Sequence, residues 1–230
     1  MPEFRETLNY GLRAIAFVSI PATVIMVVLR VPIIQLLLQH GKFGSHSTNL
    51  VSGALVFYAL GIFAWSAQAL IARAFYSMNQ TQVPMWTGTA ITFVIFLPLS
   101  YILMKKMGYT GLPLATTIAV SIHAGMMLYF LRGKAGGIGA GRILRSVLKI
   151  STASAVMGAA MWFTLAHIPS AALAHLPFKV AAGLRVLLPM AAGGILFVVM
   201  VNILKLEESE AVWAMVKRRI MGRSATPTTE

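Results

Sequence analysis

The sequence has no cysteine, and between Glu6 and Glu207 it has no carboxylate. The first absence excludes disulfides and thiolate metal sites. The second is more restrictive. A paired-carboxylate hydrolase, a magnesium site and an acid-based cation-coupling site all need carboxylates in the body of the fold. The six acids are Glu3, Glu6, Glu207, Glu208, Glu210 and Glu230, all near the ends. Charge is scarce altogether: 11% of residues, against about 25% in soluble domains. The opening residues MPEFRETLNYG are polar and amphipathic and show no secretory signal pattern; they read like the interior of a longer sequence.

What is present is apolar. Hydrophobic residues make up 58% of the chain and the mean hydropathy is +0.79. One core of this size cannot hide so much apolar surface, so the expected solvent is a bilayer. A spanning helix takes about 20 mostly apolar residues. Six stretches meet that need: 14–29 extended by 8–11, then 50–72, 83–104, 111–131, 150–168 and 180–204. Pro21 lies inside the first and should kink it, and Pro98 lies inside the third. Residues 31–43 are too short to span and read either as an interfacial helix ended by Gly41 or as the tail of the first span. Residues 206–220 carry acids first and bases last, which suits an amphipathic helix at the headgroups. The expected fold class is therefore all-α integral membrane: about six transmembrane helices, a short interfacial helix and a C-terminal amphipathic helix.

The net charge of +13 does not point to nucleic acid, because the basic residues flank apolar runs instead of forming a stripe. On alternate sides of the six spans, Lys and Arg divide 13 against 6. The richer side holds both termini, Arg73 and the Gly-rich segment 132–149. The positive-inside rule places that side in the cytoplasm. The expected organisation is a four-helix part over 1–131, a basic linker over 132–149, two final spans over 150–205 and a cytoplasmic tail over 206–230.

No motif for catalysis, metal or cofactor stands out. The five histidines, His40, His46, His123, His167 and His175, make no ligand pair. His123 lies within a span, where packing against another helix is the favoured reading and a pathway role the alternative. Gly136, Gly137, Gly139 and Gly141 are dense but lack the strand and the GK[ST] of a phosphate loop. Small residues four apart, Ser154 with Gly158 and Ala155 with Ala159, permit close helix approach, and 191–194 permits either that or a shallow acyl groove. The segment 72–84 joins two spans. Arg73 in it reads as a headgroup-level anchor, and Pro84 as the start of the next helix.

Several stretches, in order, carry a family resemblance. They are Gly11-Leu12-Arg13 before Pro21-Ala22, then Pro32-Ile33-Ile34-Gln35-Leu36-Leu37-Leu38-Gln39-His40-Gly41-Lys42-Phe43, then Tyr58-Ala59-Leu60-Gly61, then 72–84, and finally 108–115. Together they resemble the C-terminal portion of the MurJ/MviN family of lipid II flippases. Gln80 and Val83 depart from the acid and threonine usual there.

The resemblance implies alternating-access translocation of a lipid-linked peptidoglycan precursor across a bacterial inner membrane, with no catalytic residues, cofactor or metal. It implies that the membrane partners are an undecaprenyl-linked precursor and further N-terminal helices of the same protein, which hold the family's cationic cavity. The last two spans would form a groove for the lipid tail. Arg73, His40, Gly41, Lys42, Phe43 and Pro84 become candidates for structural or gating roles. The alternatives are a related polyprenyl-linked polysaccharide or O-antigen exporter, and a truncated, non-transporting fragment.

Overall fold

In the computed structural model, residues 2–39, 43–135, 140–168 and 175–204 are described, and among them all regular structure is helical. The helices are α1 (Pro2–Val28), α2 (Arg30–Leu38), α3 (Ser45–Leu60), α4 (Ile62–Ser77), α5 (Gln82–Ile91), α6 (Leu97–Met107), α7 (Gly111–Ala135), α8 (Ala140–His167) and α9 (Phe178–Ile203). By length and composition, α1, α8 and α9 can each cross a bilayer, and so can the bent pair α3–α4. The apolar stretch Gln82–Gly133 runs for 52 residues, about 78 Å if straight, far more than the roughly 30 Å of hydrocarbon. It folds back on itself at a 3₁₀ turn, Gly108–Thr110, so that α6 packs on α7. It therefore supplies two crossings, and the total is the six expected.

Glycine makes that reversal possible. Gly108 takes a positive φ of 64°, and a Cβ on Gly111 would sit 2.4 Å from the Leu103 carbonyl group. The span before the reversal contains Pro98, which has no N–H and crowds the carbonyl four residues back. A π-turn over Thr92–Phe96 absorbs this, with the Leu97 N–H donating to the Thr92 carbonyl. Helix α2 continues α1: the Leu29 N–H donates to Ile25 and the Ile33 N–H to Leu29, both at 2.9 Å. Together α1 and α2 run about 55 Å, so one end passes beyond the hydrocarbon.

The packing runs in three clusters. Leu8 and Leu12 of α1 meet Ile71 and Phe75 of α4 and Met127 and Leu131 of α7. Further along α1, Ala16 meets Ile150 of α8 and Val201 of α9. Leu29 meets Met157 and Met161 of α8 and Val186 of α9. The last two spans thus share their core with the first. Of the small-residue pairs, Ser154 and Gly158 are buried, with Gly158 against Val24, whereas Ala155 and Ala159 are exposed. Gly193 packs on Met161, while Gly194 faces open space. The Lys149 ammonium donates to the Leu204 carbonyl at 2.9 Å, tying the start of α8 to the end of α9. Its positive charge also suits a helix C-terminus.

The bend of 42° between α3 and α4 falls at Gly61. There the Gly61 N–H turns to the Tyr58 carbonyl, three residues back, at 3.0 Å. The Phe57 carbonyl loses that partner and accepts the Thr117 hydroxyl of α7 at 2.6 Å. The Ala59 carbonyl accepts the Thr23 hydroxyl of α1 at 2.9 Å. A backbone group left unmade in hydrocarbon costs several kcal/mol, so a broken span needs such side-chain partners.

Candidate functional site

Two concavities flank α4. The first lies between α1, α4, α7 and α8, holds about 520 Å³, and includes Leu12, Phe63, Ala67, Leu128, Ile143 and Leu144 in its walls. Small residues make the room: Ala64, Ala124 and Gly125 line it too. A polar side chain in it, Ser121, spends its hydroxyl on the Thr117 carbonyl of its own helix at 2.7 Å. The crevice offers apolar surface and shape, and no charge for a headgroup.

The second concavity, about 340 Å³, lies between α4, α5 with its π-turn, and α7. Trp65 and Gln68 face His123 across it. His123 is buried, its Nε2 3.0 Å from the Thr87 hydroxyl oxygen. The Thr87 hydroxyl also reaches the Val83 carbonyl at 2.7 Å. Gly88 leaves space for the ring, since a Cβ there would lie 3.2 Å from His123 Cε1. The histidine thus packs against a neighbouring helix, the reading favoured from sequence. Thr92 and Thr116 also line the cleft, but each donates to a carbonyl of its own helix at 2.9 Å. The buried Gln68 Oε1 is without a hydrogen-bond partner. This cleft is built for packing with a small polar reserve.

Of the residues singled out from sequence, Arg73, Pro84 and Phe43 are described and lie on separate segments. Arg73 is exposed on the last turns of α4. Pro84 is buried in the first turn of α5, which begins two residues earlier, at Gln82. Phe43 is half-buried just before α3, and His40, Gly41 and Lys42 lie outside the described residues. Within 72–84, Asn79 takes a positive φ of 56°. The Gln80 N–H donates to Phe75 and the Asn79 N–H to Tyr76, both at 3.0 Å. That is a left-handed helix cap, so the distinctive segment ends α4 cleanly and turns the chain into α5. Of the segment 132–149, residues 132–135 finish α7 and 140–149 begin α8; 136–139, like the tail from 205 onward, lie outside the described residues. Thr23, Gln68 and Thr117 were not read as site residues. The helical spacing of hydroxyls in apolar spans was the signal available, but it does not say which carbonyl each meets. Among the described residues no group of three His, Asp or Glu side chains could hold a metal.

Comparison with known proteins gives a consistent result. The family described as Lipid II flippase MurJ matches residues 1–181. Probable lipid II flippase MurJ of Bdellovibrio bacteriovorus is 28% identical over 155 residues, covering 67% of this chain and 29% of that protein. Its counterpart in Thermotoga maritima is 30% identical over 156 residues, covering 68% and 31%. Lipid II flippase MurJ of Thermosipho africanus is 30% identical over 129 residues, covering 56% and 27%. The solved structure of Lipid II flippase MurJ, inward closed conformation, superposes with a TM-score of 0.71 at 24% identity, over 87% of this chain and 39% of that one. That likeness shows the fold. The chain spans about 30% of the length of these curated relatives.

Proposed function

The chain belongs to the Lipid II flippase MurJ family, and on that premise we propose that it is the C-terminal part of a lipid II flippase, moving the lipid-linked peptidoglycan precursor across the bacterial cytoplasmic membrane by alternating access. The observation that carries the reading is the apolar crevice between α1, α4, α7 and α8, in a chain with no carboxylate between Glu6 and Glu207. A flippase must hold a charged, sugar-bearing headgroup in a hydrated cationic cavity while its tail remains in an apolar setting. This part supplies the apolar wall, and the cationic cavity belongs to the rest of the protein. Because lipid chains are already in hydrocarbon, such a crevice contributes shape selection for an undecaprenyl tail more than affinity. The final spans α8 and α9 complete the tail side. No bond is made or broken.

The proposed orientation rests on the distribution of Lys and Arg over the two ends of the bundle. The starts of α1 and α8 and the ends of α4, α7 and α9 share one end of the bundle. Arg5, Arg73, Arg132, Arg142, Arg145 and Lys149 belong to that end, and it faces the cytoplasm. Arg73 then acts as a headgroup-level anchor, Pro84 lies in the first turn of α5, and His40, Gly41, Lys42 and Phe43 carry a structural or gating role.

The experiment is a chimera. Residues 1–204 replace the matched segment of a functional relative, expressed in a bacterium depleted of its own lipid II flippase. The chimera sustains growth, and the 230-residue chain alone does not. A chimera that inserts at normal levels yet fails to support growth, or growth on the chain alone, overturns the proposal.

A further inference from the structure

We propose that α3 is a hinged leaf that pivots at Gly61, and that the hydroxyls of Thr23 and Thr117 are the pins that hold it in its bent position. The inference concerns motion inside this six-span unit and does not depend on the cargo.

The two halves of the bent span are anchored very differently. Helix α4 places Ala67, Ile71, Ala74 and Phe75 in the core with α1 and α7. No described residue of α3 belongs to any of the three apolar clusters. Its buried side chains are small: Thr48, Ser52 and Ala59. The hydroxyls of Thr48 and Ser52 bond back within the helix and its cap, to Gly44 and Asn49. Gly53 rests on the Tyr109 hydroxyl, where a Cβ would lie 3.2 Å away. Helix α3 does pack on α1, α2 and α7, and at the break a pair of hydroxyl-to-carbonyl bonds adds to that packing.

Those bonds have replacements of equal number. If the span straightens, the Gly61 N–H returns to the Phe57 carbonyl and the Phe63 N–H takes the Ala59 carbonyl, as in any α-helix. Thr23 already shares its hydroxyl with the Ser19 carbonyl of its own helix at 2.9 Å, so it is not orphaned. Thr117 can fall back on the carbonyl four residues earlier in α7, as helical threonines do. The Phe57 and Ala59 carbonyls thus have a donor in either arrangement, which a two-position element in hydrocarbon requires. Gly61 adds room, because a Cβ there would sit 2.8 Å from Thr117 Oγ1. A 16-residue helix is about 24 Å long. Removing a 42° bend therefore carries its far tip through about 17 Å.

The chain has no native cysteine, so paired spin labels report cleanly. In lipid nanodiscs, one pair, Asn49→Cys with Trp162→Cys, measures α3 against α8. A second pair, Tyr76→Cys with Leu148→Cys, measures the anchored halves of α4 and α8 against each other. All four positions are exposed. The expected result is that Thr23→Val with Thr117→Val shifts the first distance by about 10 Å or more and leaves the second unchanged, while Thr23→Ser with Thr117→Ser restores the original distribution. An unchanged first distance in the double valine variant overturns the proposal. So does a change in both distances, because the hydroxyls would then hold the whole bundle and not a leaf.

Discussion

Gly111→Ala tests whether the chain really reverses between α6 and α7. Gly111 has φ −65° and ψ −36°, ordinary helical values that any residue adopts. On backbone grounds alone, alanine there should stabilise by about 0.5–1 kcal/mol, because glycine loses more freedom on folding. The surroundings reverse the sign. The new methyl would lie 2.4 Å from both C and O of Leu103 and 2.7 Å from the Met104 nitrogen. Comfortable carbon contacts begin near about 3.5 Å, so the two helices must part by roughly 1 Å there. The obstacle is backbone, which has no rotamer to change. Overpacking of this kind costs about 1–3 kcal/mol, and the net effect is a loss of about 1–2 kcal/mol. Gly125→Ala is the control: it lies in the same helix α7, with nothing within 4 Å of the added methyl. At about 2–4 °C per kcal/mol, thermal unfolding in detergent at a fixed scan rate should place Gly111→Ala several degrees below the parent. Gly125→Ala should sit level with it or slightly above. If Gly111→Ala unfolds with or above the parent, α6 and α7 do not meet as described and the count of six crossings fails with them.

The contact of α1 with α8 gives a coupled test. Alanine at Gly158 would put its methyl 2.7 Å from Val24 Cγ1, so Gly158→Ala should lose about 1 kcal/mol. Val24→Ala should recover most of that loss, and strict additivity in the double-mutant cycle would count against the pairing. Topology is checked by reporter fusion: an insertion within 135–140 should read cytoplasmic and one at Ser45 periplasmic, and the reverse pattern would refute the orientation.

Much of this architecture was readable from the residues. Apolar runs bounded by Lys and Arg gave the six crossings because hydrocarbon thickness fixes the length of each. The piece after Arg30 went against the favoured reading of a separate interfacial helix: α2 continues α1 and packs Ile33 and Leu36 on the core shared with α8 and α9. The expected kink at Pro21 left α1 one continuous helix from Pro2 to Val28, and the π-turn over Thr92–Phe96 ahead of Pro98 was not anticipated. Pairings between helices were harder. The Ser154–Gly158 and Ala155–Ala159 pairs have the same spacing, yet the first is buried against α1 and the second is exposed. Spacing marks a face of a helix; which face meets a neighbour is decided by helices far away in sequence.

The candidate site shows the same limit more sharply. The segment 72–84 is one of the stretches that carry the resemblance, and in space it is the end of α4, a cap at Asn79 and the start of α5. The features with functional content are spread across distant segments: Thr23, Gly61 and Thr117 at the break, and Phe63, Gly125 and Ile143 along the crevice. A water-soluble protein could leave the Phe57 and Ala59 carbonyls to solvent, and a glycine bend there would carry little information. In hydrocarbon that option is closed, so a break in a span obliges some other helix to supply a hydroxyl. Two helices do, α1 through Thr23 and α7 through Thr117. A glycine in an apolar run, with threonines elsewhere that have no obvious lipid-facing purpose, is therefore a pattern whose physical meaning appears only when the carbonyls are followed to their donors.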